Sequence, residues 1–188
     1  TLAEGLTGWD IPFITVNIAG MENPNTKDIT TAEALKTALE NTTPATISVT
    51  EDITLNDLGA ITVGESHTLS VAEGKTVTID GSTGINMGTH TLTIQGAGEA
   101  SSTLVCNRSS GYALYGSSSS MLRLKDITAE VTGGYGLQIT DADIGSGARL
   151  VLNVPDRQDL VTVNGSLNVS GEIDIQDFDV TAISLRGN

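Results

Sequence analysis

The sequence specifies an all-β chain, a single-stranded right-handed parallel β-helix of about six coils of roughly 23 residues, closed at its N-terminal end by a short helix. Three observations predict this. Apolar residues recur at a long fixed period, the text between them is a run of short strands, and aromatic residues make up only 3% of 188. A β-sandwich of this size normally fills its core with several large aromatics, whereas the narrow interior of a coil stack is filled by aliphatic residues.

The period is read from columns. Leu69, Leu92, Leu114, Leu137, Leu160 and Ile183 follow one another at 23 residues with one step of 22. Leu104, Ile127, Leu150 and Ile173 form a second series, and Cys106, Ala129, Leu152 and Ile175 a third. Met121, Ile144 and Leu167 make a shorter one. A column position makes Cys106 a small buried hydrophobe rather than a reactive thiol. One cysteine also excludes an internal disulfide and a Cys-based zinc site.

Residues 1–29 do not share the beat. The stretch Trp9 to Gly20 has the composition of one strand, but Pro12 and Pro24 mark an irregular segment or linker. A helix is predicted over 30–41, opening the domain that runs to Asn188. Thr30 and Glu33 have capping-box spacing, Leu35, Ala38 and Leu39 form one apolar stripe, and Pro44 blocks continuation. Its place just before the repeats suits it to cover the open hydrophobic end of the first coil.

From Ala45 inward pairs fall every eight residues: Ile53/Leu55, Ile61/Val63, Leu69/Val71, Val77/Ile79 and Ile85/Met87. The i, i+2 spacing is the strand period, and three strand-plus-turn units make about 24 residues, close to the column spacing. An antiparallel meander stays open as an alternative through Asp80-Gly81 and Asn164-Gly165. It does not explain why SHTLSV recurs as THTLTI, or SGYALYG as GGYGLQI, each 23 residues on. The Ser117 to Ser120 run and Asp143 to Arg149 read as loops or corners. The last segment, FDVTAISLRGN, shows no terminal cap, so the C-terminal coil is expected to meet solvent, a further domain or, end to end, another protomer.

The formal net charge of -14 argues against nucleic-acid or anionic-membrane partners, which require clustered Lys and Arg. No apolar run approaches the roughly 20 residues of a membrane-spanning helix. A glycoside-cleaving site needs two carboxylates held across one bond. Asp141 with Asp143, the cluster Glu172, Asp174, Asp177 and Asp179, and the pair Asp156 and Asp159 are the candidates. Equally, these acids alternate outward from the core columns and solvate the rod. Asp174, Asp177 and Asp179 also have the oxygen-rich character of a weak Ca2+ site. The basic residues Arg108, Arg123, Lys125, Arg149 and Arg157 are scattered, and no catalytic residues are assigned.

A more distinctive stripe stands two residues before the first column: His67, His90, Tyr112, Tyr135, Gln158 and Thr181. In register, its members stack about 4.8 Å apart. Tyr112 and Tyr135, with Tyr115 beside them at opposite parity and so the more exposed, form a candidate platform for sugar rings. The alternative is a structural ladder at a corner, and the two histidines lack a third metal ligand.

The segment TTAEALKTALENTTPATISVTEDITL, with GKTVTIDG and HTLTIQG after it, resembles the opening of pectate-lyase-like β-helix domains in large surface proteins of host-associated bacteria. There a T-A-E-x-L-x-x-A-L helix leads into a strand and then D-I-x-L. The resemblance runs from about Thr30 over most of the chain, through motifs that are structural. It implies an extracellular or cell-surface adhesive module contacting a glycan or another host or cell-surface ligand, and it carries over no catalytic residues. A polysaccharide lyase or glycoside hydrolase, and a structural spacer, are the competing functions.

Overall fold

The computed structural model describes residues 26–98, 101–155, 157, 159–176 and 181–186. The segment around Trp9 and the positions Asp156, Gln158, Asp177 and Asp179 lie outside the described residues. The predicted parallel β-helix is the fold: six coils, each giving one strand to each of three parallel sheets.

Sheet A contains Thr46–Val49, His67–Val71, Thr91–Gly96, Met121–Lys125, Asp141–Ile144 and Leu167–Val169. Sheet B contains Ile53–Asn56, Thr76–Gly81, Thr103–Arg108, Thr128–Val131, Arg149–Leu152 and Glu172–Ile175. Sheet C contains Ala60–Thr62, Gly84–Asn86, Leu114–Tyr115, Leu137–Ile139, Val161–Val163 and Ile183–Leu185. Period-two patterning builds each strand. In the first coil Ile47, Val49, Ile53, Leu55, Ile61 and Val63 are all buried, and the residues between them face outward.

Sheet A has a seventh strand, Thr26–Ile29, paired in parallel with Thr46–Val49. It falls in the stretch expected to be irregular. The helix follows at Ala32–Leu39, shorter than the predicted 30–41. Its N-cap is Thr31, whose hydroxyl accepts from the Ala34 amide at 3.2 Å, so Thr30 is not the cap and Glu33 stands one place short of the capping-box position. The stripe of Leu35, Ala38 and Leu39 is buried, closing the stack beside Ile29. Gly64 permits this closure. A side chain there would strike the carbonyl oxygens of Glu40 and Asn41, and its amide donates to Leu39 at 2.9 Å.

The register corrects the columns. In sheet C the true column is Ile61, Ile85, Leu114, Leu137, Val161 and Ile183, in steps of 24, 29, 23, 24 and 22. Leu69 and Leu92 belong to sheet A, where Leu69 pairs with Ile94 and Leu92 with Leu122. In sheet B, Leu104 pairs with Ala129 and Ala129 with Leu150, steps of 25 and 21. Two unequal coils therefore give the same total as two of 23, and Ile127, outside the strand, only seemed to join the column. Likewise Cys106 pairs with Val131, not Ala129. In the shorter series Met121 pairs with Asp141, while Ile144 takes Leu124 on one side and Val169 on the other. Cys106 is nevertheless buried, and burial pushes its thiol up to about 12.

Candidate ligand-binding groove

A groove of 410 Å³ opens on the outer side of sheet C across the third to sixth coils. Its strands supply Gln138, half-buried between aliphatic core neighbours, and its register partner Thr162, which is itself buried at 2% exposure. The turns leading into those strands supply Tyr112, Tyr135, Arg157 and Asp159, and Arg186 follows the last strand.

The tyrosines meet because SGYAL and GGYGL are repeats in true register: Leu114 pairs with Leu137, and the Tyr135 amide donates to the Gly111 carbonyl at 2.8 Å. Gly136 has a φ of 71°, and a side chain there would collide with the Leu160 carbonyl oxygen. Arg108 holds the turn from behind, donating to the carbonyls of Tyr112 at 2.5 Å and Ser82 at 3.0 Å.

The two rings stand edge to face, with centroids 5.7 Å apart and planes at 66°, so they do not form a flat platform. The guanidinium of Arg157 lies over the Tyr135 ring at 4.4 Å from its centroid, within cation–π range. Asp159 pairs with Arg186 at 3.0 Å, bridging the fifth and sixth coils. In a chain with 23 acidic and 9 basic residues, this groove sets two arginines against one described carboxylate.

The stripe therefore differs from the one read along the sequence. Tyr112 and Tyr135 stand where expected. The next member is Asp159, two before Val161, rather than Gln158, because Val161 and not Leu160 belongs to the column. The Asp159 amide donates to the Thr181 carbonyl at 2.9 Å, so Thr181 keeps its place. Of the three tyrosines, Tyr135 is the exposed one at 44%; Tyr115 is half-buried on the outer face of sheet C, beside Gln138, and does not line the groove.

Neither histidine belongs to the stripe. His67 occupies a core position on sheet A, opposite Leu92, and is 3% exposed. Its Nδ1 accepts from the Ala45 amide at 3.2 Å, which leaves the proton on Nε2 to be donated to the Asn41 carbonyl at 3.0 Å. It thus pins the connection from the helix to the first coil. His90 sits on a turn 3.3 Å from Glu65, whose own carboxyl is held below its usual range first by the Ser66 amide.

Asp141 and Asp143 share the outer face of sheet A, and Arg123 is the register partner of Asp143. Asp141 accepts from both the amide and the hydroxyl of Ser166 at 2.7 Å. Those bonds hold its carboxyl below the usual carboxylate range, opposite to the shift a general acid requires. Asp174 is engaged by Arg149 and by Gln176 Nε2 at 2.9 Å rather than standing open as a cation ligand. Among the described residues no group of three or more His, Cys, Asp or Glu side chains is placed to hold a metal ion.

Arg186 was not singled out by sequence reasoning, and Arg157 only as one of the scattered bases. Their signal is their spacing from the tyrosines, 22 residues from Tyr135 to Arg157 and 29 from there to Arg186, which is interpretable only once unequal coil lengths are known.

Fold and groove together define a β-solenoid module with an aromatic, arginine-bearing surface channel. A family model described as "Putative pectate lyase-like adhesive domain" matches residues 26–154, more than two thirds of the chain, and the protein belongs to that family. No curated protein and no solved structure matches the chain. The matched span begins at the first strand of sheet A and includes Tyr112, Tyr135 and Gln138; Arg157, Asp159, Thr162 and Arg186 lie beyond it. No helix among the described residues is long and apolar enough to cross a membrane.

Proposed function

We propose that this chain is a non-catalytic adhesion module of an extracellular or cell-surface protein, and that it binds glycans in the sheet C groove. The observation that carries this reading is the groove itself. It combines an exposed tyrosine and its edge-to-face partner with the Gln138 amide and two guanidinium groups, the mixture that holds a sugar ring by its faces and its hydroxyls. The adhesive description of the family supports the role. Hydrolysis is disfavoured because Asp159 is the one described carboxylate of the groove and is tied to Arg186, where cleavage calls for a carboxylate pair. A pure spacer has no use for a half-exposed tyrosine beside an open channel.

A glycan-array screen followed by titration of the strongest binder tests this. Tyr135→Ala is expected to weaken binding on the order of tenfold, while Tyr115→Ala leaves it within about twofold. Bound oligosaccharide recovered after incubation should be unshortened. Equal binding by wild type and Tyr135→Ala removes the groove from the account.

A further inference from the structure

We propose that the groove selects saccharides bearing an anionic group, a carboxylate or a sulfate, and that Arg157 is the residue that reads it. This rests on the groove being the glycan site. Arg157 lies over the Tyr135 ring, its Cζ 4.4 Å from the centroid, and no carboxylate among the described residues pairs with it. By contrast, Arg149 and Arg186 are both committed to carboxylates. The ring contact restricts the guanidinium on one side and leaves its N–H groups without a carboxylate among the described residues. A planar fork of donors suits two oxygens of one oxyanion. Asp159 is neutralised by Arg186 at 3.0 Å, so it presents little opposing charge.

The surroundings sharpen the selection. A chain of net charge -14 repels anions over most of its surface, so an anionic glycan gains only where positive charge is concentrated. Arg157, Asp159 and Arg186 all lie beyond residue 154, outside the span shared with the family model. The charged groups of the groove thus come from the last two coils and its aromatic pair from the matched region.

The test is an array pairing each neutral glycan with its uronate-, sialate- and sulfate-bearing counterparts, probed with wild type, Arg157→Gln and Arg157→Lys. Arg157 is exposed, so neither change threatens folding. Wild type is expected to prefer anionic members on the order of tenfold, Arg157→Gln to lose that preference, and Arg157→Lys to retain part of it. Binding of the anionic members should weaken as NaCl is raised from 50 to 500 mM, the neutral ones being unaffected. The carboxylate and sulfate arms separate the two sources of charge. Equal binding of neutral and anionic partners overturns the proposal and leaves the groove reading standing, provided Tyr135→Ala still weakens both. Binding to no glycan of either kind overturns both.

Discussion

The two ends of the coil stack solve the same problem in different ways. At the N-terminal end the last turn of core is sealed by apolar contact: Ile29, Leu35 and Leu39 are fully buried, and so are the first-coil residues Leu55 and Ile61 beneath them. At the other end the corresponding positions are open, with Val169 and Ile175 each 48% exposed and Leu185 62%. These residues occupy the same columns as the buried ones, Val169 opposite Ile144, Ile175 opposite Leu152 and Leu185 opposite Val163. Burial in a solenoid is therefore a property of having a neighbour on both sides, and identical residue types stabilise unequally along one column.

The sixth coil keeps only part of its apolar packing, Ala182 buried and Leu167, Ile173 and Ile183 half-buried against the core, and adds one polar clamp on each sheet. Asp141 grips Ser166 on sheet A, Arg149 bonds Asp174 and approaches Glu172 on sheet B, and Asp159 bridges to Arg186 beside sheet C. Each clamp joins the fifth coil to the sixth. The third also forms part of the groove, so the proposed ligand surface is built partly from the less buried end of the coil stack.

The largest effect is expected from removing the seal. Leu39→Ala should cost about 2–5 kcal/mol of unfolding free energy, the range for emptying a fully buried leucine site. Urea denaturation followed by circular dichroism measures it. A loss under about 1 kcal/mol would mean that the helix is an appendage and that the first coil closes by itself.

The contrast between the ends also explains how much was legible in the sequence. The coil number and the sealing helix were legible, because a mean period survives unequal coils and an apolar stripe is local. The register was not, since a 25-residue coil followed by one of 21 cannot be told from two of 23 when Ile127, Ala129 and Val131 are all apolar. The tyrosine pair was readable because glycines frame both copies and keep them in phase. The stripe was lost one coil later, where Leu160 and Val161 stand side by side and choosing the wrong one exchanges Gln158 for Asp159. Histidine at 67 read as one step of a corner ladder because sequence alone does not show that the loop after the helix leaves two backbone groups to satisfy.

A smaller effect is expected at the clamps, and pH separates them from the seal. The bonds from Ser166 hold the Asp141 carboxyl below its ordinary value of 3.8, so the folded state favours the charged form. Its contribution is complete above that value and is lost as pH falls through the lower folded-state value. Asp141→Asn should therefore be less stable than wild type by a constant amount between pH 5 and 8, and the gap should close in acid below about pH 4. Hydrogen exchange should place the loss in Leu167–Val169 and leave Thr46–Val49 unchanged. A gap that widened in acid would reverse the sign and remove Asp141 as a clamp.

The smallest effect is expected at the open end itself. Leu185 carries an apolar side chain in a core column, and a reading from sequence pattern alone assigns it the same weight as Leu39. With 62% of its surface already in water, little is left to lose, and Leu185→Ala should change stability by no more than about 0.5 kcal/mol. The same urea titration used for Leu39→Ala gives the comparison, with the two variants differing by at least about 1.5 kcal/mol. If Leu185→Ala proved as costly as Leu39→Ala, something in solution would be covering the sixth coil as the helix covers the first. The two ends would then be equivalent, and the clamps would be additions to a buried core rather than substitutes for one.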